Sequence, residues 1–333
     1  MTSRENEQID RVTAEQPDLA GAHIMDILTY RELEHKEDIF ILWLKSFGWP
    51  GSAKWLANFT KYDTRIGAGP VGMCGLIKGQ MVGFVGIMTI PTRTRHGEIE
   101  NVGGIYAVAV RPSYMRRGIG RKLLEASEKY LQGQGIRLSF LTTSRSIVAY
   151  QWYCDVGYEV VGSVESYPYM YKILNPSKSV KKKGMSVEKH RIDLEQVQKL
   201  FGWYGSKHCG FVIRGLKDLR AREMEGVFSR NLSITVDGGY ALLKRSFGVI
   251  QHMEILARSM KAYTELIKLA GSKAKYAAVA IHPFDPKANK AFEEAGYQVD
   301  LGNYGVLMYK RLSRTTFEDV YDDSFMISRL DLF

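Results

Sequence analysis

One ten-residue frame occurs twice in this chain of 333 residues. "AYQWYCDVGY" (149–158) and "ANKAFEEAGY" (288–297) share an alanine, an aromatic four residues later, and Gly-Tyr four after that. The segments before each copy also run in parallel, with helices ending in Gly-Trp or Trp-Tyr-Gly, then hairpin, strand, helix and strand. Two copies at so long a period are a duplication and not a solenoid. The chain is long enough for two ordinary domains, each with its own core.

Periodicity places the elements of the first copy. "IMDILTYREL" (24–33) reads as a strand and "HKEDIFILWLKSFGW" (35–49) as a helix stopped by Pro50-Gly51. Residues 72–90 form a hairpin around Lys78-Gly79-Gln80, 101–110 a strand, 117–134 a helix, 136–143 a strand and 146–158 a helix. "YEVVG" and "ESYPYMYKIL" follow as strands. "NPSKSVKKKG" (175–184) has almost nothing to bury and reads as a linker. The second copy has strands at 186–192, 232–257 and 275–281, with helices at 193–205, 261–271 and 288–295. The expected division is a polar mobile tail (1–23), a first domain (24–174), the linker (175–184), a second domain (185–312) and a C-terminal tail (313–333).

The stretch "VRPSYMRRGIGRKLL" (110–124) passes from strand to helix through Arg116-Arg117-Gly118-Ile119-Gly120. Glycines there let backbone N–H groups approach a ligand, and the helix that follows offers unpaired N–H groups and a positive dipole end. Arg116, Arg117, Arg121 and Lys122 add charge. The combination suits a pyrophosphate. This stretch is neither a Walker loop nor a dinucleotide fingerprint, since it contains neither G-x-x-x-x-G-K-[ST] nor more than one G-x-G.

The order of elements, together with "VAVRP", "RRGIGRKLL" and "AYQWYCDVGY", resembles the GNAT acetyltransferase superfamily over residues 24–174 and, more loosely, over the second half. The resemblance implies an α/β (α+β) chain of two tandem GNAT folds, each a twisted, mostly antiparallel mixed sheet flanked by helices. It implies acetyl-CoA as cosubstrate and no metal. The family's pyrophosphate motif, [Q/R]-x-x-G-x-[G/A], falls on Met115 to Gly120, with Met115 departing from the usual first residue. The same resemblance gives Val108, Ala109 and Val110 a main-chain role against the pantetheine arm, beside a bulged strand. It puts Ser146 where relatives carry a cofactor-contacting Asn, although a serine there also serves as a helix N-cap. Tyr153 matches the family's general acid, which protonates the departing thiolate.

The attacking amine must lose a proton. Glu98 and Glu100, opening the strand that leads to the cofactor, are candidate bases. Trp43, Trp49, Trp55 and Tyr62 fall where relatives build the acceptor wall, although aromatics at helix ends are usually core. The second half offers "ILARSMKAYTELIKLA" in place of the glycine-arginine loop, and Phe292 stands at the tyrosine position. It therefore reads as a degenerate copy that does not bind cofactor. Enhanced-intracellular-survival-type and mycothiol-synthase-type proteins are tandem GNAT chains of this kind. The former bring their C-terminal carboxylate into the first domain's site, which would here be that of Phe333, after the apolar run "FMISRLDLF".

The expected acceptor is thus a small-molecule amine or a peptide or protein amine, with a non-catalytic acyl-CoA-binding module as the alternative. Net charge is +10, but no aromatic-interleaved basic patch supports a nucleic-acid partner. Apolar runs such as "MVGFVGIMTI" are too short for a bilayer, so no membrane role is expected. Cys74, Cys154 and Cys209 lie far apart, which suits a reducing, cytoplasmic setting. Oligomeric state is not legible.

Overall fold

The computed structural model describes residues 25–48, 51–165, 167–174, 191–281, 283–300 and 305–332. The N-terminal tail, the linker at 175–184, Trp49 and Phe333 lie outside them. The chain forms two mixed α/β layers. In order, the elements are β1 (Asp26–Thr29), α1 (Asp38–Phe47), α2 (Ala53–Tyr62), β2 (Gly72–Ile77), β3 (Gln80–Arg93), β4 (Ile99–Val110), α3 (Ile119–Gly133), β5 (Leu138–Ser144), α4 (Val148–Asp155), β6 (Glu159–Val160), α5 (Gly162–Glu165) and β7 (Tyr169–Ile173). Then come α6 (Leu194–Gly205), β8 (Cys209–Gly210), α7 (Leu216–Met224), β9 (Ile234–Val236), β10 (Gly239–Ser246), β11 (Val249–Ala257), α8 (Met260–Ser272), β12 (Ala277–Ile281), α9 (Pro286–Glu294), β13 (Gln298–Asp300), β14 (Gly305–Arg311), α10 (Phe317–Val320) and β15 (Phe325–Met326).

The first sheet runs β1-β2-β3-β4-β5-β14-β6, and the second runs β13-β7-β12-β11-β10-β9. The first sheet also takes in β8, which meets β3 at Arg93, and β15, which lies against β8. Its parallel pairs are β4–β5 and β8–β15, and that of the second sheet is β11–β12; the remaining pairs are antiparallel. The two halves exchange a strand. β7, from the first half, lies between β13 and β12 of the second sheet, with Tyr171 opposite Val279. β14, from the second half, lies between β5 and β6 of the first, with Tyr309 opposite Phe140. The run 169–174, which periodicity assigns to the first domain, thus completes the sheet of the second.

The exchanged strands carry the same core, Met-Tyr-Lys, at 170–172 and 308–310. Both methionines are fully buried. Each strand therefore offers the same buried methionine to the sheet that receives it.

The first sheet buries one face beneath α3 and α4, through Leu123, Leu124, Leu131 and Tyr153. Its other face packs against α1, α2 and the C-terminal segment, through Leu42, Trp43, Phe59, Phe325 and Ile327. Where the halves meet, charge is buried. Asp63 accepts from Arg65 at 2.9 Å and from Arg222 of the other half at 2.8 Å, and Arg222 also binds Glu225 at 2.8 Å. Burial alone would raise the Asp63 carboxyl, but the two guanidinium groups outweigh it and hold it down at about 2.

Candidate active site

β4 and β5 pair only over Gly103–Ile105 and Ser139–Leu141. Beyond these residues the strands part, so Tyr106–Val110 and Thr142–Ser144 have no ladder partner in each other. The cause lies in β4. Opposite β3 its register jumps from Tyr106↔Gly86 to Ala109↔Phe84, so the extra residue bulges out. Ala107 takes a positive φ of 47°, a conformation that costs a non-glycine residue energy and that clusters at functional sites. The bulge turns the end of β4 away from β5 and opens a cleft beside Val108, Ala109 and Val110.

That cleft leads to the head of α3. Arg116 and Gly118 both have positive φ, at 59° and 76°. Gly118 is the N-cap, and no side chain caps the helix. Lys122 is the first residue here to donate to a helical carbonyl, that of Gly118 at 3.0 Å. The N–H groups of Arg116 to Arg121 make no hydrogen bond among the described residues. Alternating backbone conformations that turn successive N–H groups to one side form an anion-binding nest, and the helix dipole adds to it. The residues thus fit a pyrophosphate group. A Cβ on Gly120 would reach Val110 Cγ2 at 3.4 Å and the Trp152 ring at 3.6 Å, so a larger side chain there enters the cleft. Trp152 carries no mark in the sequence that would single it out as a wall of this site.

Tyr153 lies on α4, buried against Trp152 and Tyr158 with ring centroids at 5.0 and 5.9 Å. Among the described residues its hydroxyl makes no hydrogen bond. Burial pushes its pKa well up, so it stays protonated at neutral pH. Ser146 does not cap α4, whose N-cap is Ile147. Its hydroxyl instead meets that of Ser144 at 2.7 Å, at the mouth of the cleft.

The two glutamates require a correction. Glu100 is bound bidentately by Arg137, at 2.9 and 2.8 Å. Glu100 stands towards the opposite end of β4 from the bulge and Glu98 just before the strand, about 20–30 Å away at the rise of a strand. Neither reaches the cleft. Trp43 likewise belongs to the core, fully buried against Trp55 and Phe84.

The second half repeats the frame without the cradle. β11 bulges at Met253, and its pairing with β12 stops at His252 and Ala280. Glu254, next in the strand, is engaged by Arg214 at 2.8 Å, by Tyr240 at 2.7 Å and by Ser328. At the head of α8 the Ser259 hydroxyl takes the N–H of Ala262, at 3.2 Å. The strand end beside the second parting is tied into this network, and its helix is capped.

Residues 36–158 match the acetyltransferase (GNAT) family. The chain carries a GNAT acetyltransferase domain. The bulged β4, the cleft and the uncapped head of α3 all fall inside this GNAT region, which marks the protein as an acyltransferase. No curated protein matches the chain. Among solved structures it is similar to a conserved protein of Enterococcus faecalis V583 described as a probable N-acyltransferase, at 16% identity and TM-score 0.59, over 87% of this chain and 72% of that one. It is similar to a GCN5-related N-acetyltransferase from Kribbella flavida at 16% identity and TM-score 0.58, over 86% and 70% of the two chains. It also resembles Eis1 from Mycobacterium abscessus at 15% identity and TM-score 0.54, over 87% and 74%. At such identities the likeness is one of fold, and it extends over both halves, as a tandem GNAT chain requires.

Proposed function

We propose that the protein transfers an acetyl group from acetyl-CoA to a primary amine by direct attack, with both substrates bound together. The observation that carries this reading is the row of unpartnered N–H groups from Arg116 to Arg121 at the head of α3, beside a cleft held open by the bulge at Ala107. Acetyl-CoA supplies an activated thioester. The N–H groups and Arg117 and Arg121 hold its pyrophosphate, and the main chain of Val108, Ala109 and Val110 pairs with its pantetheine arm.

Tyr153 then gives its proton to the departing thiolate; its raised pKa keeps that proton on the hydroxyl until the thiolate forms. The amine must attack uncharged. A lysine-type amine has a pKa of about 10.4 and an α-amino group about 7.7–8, so an α-amino acceptor sheds its proton far more readily near neutral pH. Glu98 and Glu100 being remote, the proton leaves through water. The carboxylate of Phe333, outside the described residues, is assigned to orient the amine, because the preceding Leu332 lines a cavity beside Thr142 and Thr143. The reaction belongs in the cytoplasm, where acetyl-CoA is made available.

Titration calorimetry with acetyl-CoA tests the reading. One binding event per chain is expected, followed by thiol release when an amine library is added. A chain that binds no acetyl-CoA would overturn it.

A further inference from the structure

A cavity of about 410 Å³ opens where β5 leaves β4. Thr142 and Thr143, the first residues beyond the last β4–β5 pair, form one wall, and the exchanged strand β14 forms another through Val306 and Leu307. Val164, Val227, Met253 and Leu332 make much of the remainder apolar. Among the described residues that line it, Arg329 alone carries a full charge.

Arg329 has no counter-ion among the described residues. Glu254, which borders it on the other side, and Asp331, two residues on, are both committed to Arg214, at 2.8 and 2.6 Å. The guanidinium is mostly withdrawn from water, and this burial lowers its pKa with no carboxylate to compensate. A desolvated, unpaired guanidinium is unfavourable in the empty protein and rewards a planar anion that meets it with two parallel hydrogen bonds. A single arginine matches one negative charge, which favours a carboxylate over a phosphate.

Resting on the acetyl-transfer reading, we propose that the acceptor is an amine bearing a carboxylate and an apolar body, a hydrophobic amino acid or a short peptide of such residues, and that Arg329 binds the carboxylate while the apolar walls take the side chain. The amine end then faces Thr142 and Thr143 and the cleft beyond. Arg329 is a specificity residue and touches no reacting atom.

The test uses the full chain and paired amines: phenylalanine with phenethylamine, and leucine with 3-methylbutylamine. Thiol release is followed, with leucyl-leucine added to separate free amino acid from peptide. In each pair the carboxylated amine is expected to show a kcat/KM at least about tenfold higher, since a site built around a polar partner discriminates against analogues lacking it. Arg329→Gln should raise KM for phenylalanine by about tenfold or more, with little change in kcat or in acetyl-CoA affinity, and Arg329→Lys should restore part of it. Phenethylamine should be used equally by all three proteins. Equal use of both members of each pair by the parent protein overturns the proposal. So does an Arg329→Gln variant that slows every amine alike, the result expected if Arg329 only supports the fold or holds the chain's own carboxylate. Absence of turnover with any carboxylated amine, while acetyl-CoA still binds, also overturns it. Loss of acetyl-CoA binding by the parent protein would instead remove the acetyl-transfer reading beneath it.

Discussion

Lys172 and Lys310 have changed places. Lys310 runs past Gly157, where an added Cβ would lie 3.6 Å from its Cε, and Lys172 runs past Gly296, where an added Cβ would lie 3.4 Å from its Nζ. Each lysine thus lies against the glycine that closes a helix of the opposite half. Lys310 also binds Glu128 on α3 at 2.7 Å, and Lys172 binds the carbonyl of Ala295. Neither half owns all its strands. A fragment of residues 1–184 is expected to stay unfolded or aggregate, because its sheet ends at β5 with an open edge. Mixing it with residues 185–333 should restore a soluble complex, read by circular dichroism and gel filtration. An independently folded first fragment with a sharp melting transition would contradict this.

Tyr153→Phe is expected to reduce turnover by about a hundred- to ten-thousandfold and to leave acetyl-CoA affinity nearly unchanged. Only the hydroxyl is lost, and among the described residues it holds nothing. The pKa of Tyr153 is raised, so its proton remains in place across the range where an amine substrate deprotonates. Activity should therefore rise with pH as the amine loses its proton, with no fall near pH 10 from this group. Phe292→Tyr should alter nothing catalytic. Full activity in Tyr153→Phe would make Tyr153 a core residue.

Gly120→Glu should abolish acetyl-CoA binding, since a side chain at this point meets Val110 and Trp152 and brings negative charge to the nest. Calorimetry on the parent protein should give one site per chain, as the head of α8 is already capped by Ser259. Two sites, or undiminished binding in the variant, would refute the assignment.

Asp63→Asn should destabilise the protein by about 3–5 kcal/mol at neutral pH, because Arg65 and Arg222 would stay buried without their anion. The folded carboxyl titrates at about 2 against an ordinary 3.8. Its contribution from that shift, about 2 kcal/mol, is therefore complete above the ordinary value and disappears as pH falls towards 2. Urea melts of both proteins should accordingly converge on acidification. A constant gap down to pH 3 and below would show that Asp63 acts through packing alone.

A short tag after Phe333 tests the proposed role of the terminal carboxylate. Acceptor turnover should drop sharply while melting temperature and acetyl-CoA affinity hold. A fully active tagged protein would leave orientation of the amine to Arg329 and the cavity walls.

Much of the first half was legible because its signals are local. The hairpin at 72–90, the strand before Arg111 and the glycine turn at 118 each depend on neighbours a few residues away, and all appear as β2–β3, β4 and the head of α3. The strand exchange was not, since β7 and β14 carry the same Met-Tyr-Lys core and alternation cannot tell one slot from an equivalent one. The glutamates misled for a related reason. Strand parity says which face a residue shares, but not how far along a strand of twelve residues the bulge will fall. Arg329 gave no sequence signal at all, because its isolation from acids arises only when Arg214 claims Glu254 and Asp331.

The exchanged strand also sets a clock on biogenesis. The ribosome makes β5 long before β14, the strand that must cover it. At about 5–20 residues per second the intervening chain takes on the order of ten seconds to appear. Throughout that interval the nascent first sheet presents a bare edge, Leu138–Ser144, that any other extended chain could join. The first sheet is therefore finished only once β14 has emerged, and a chaperone that shields β5 until then would raise the yield more than one acting on the completed protein.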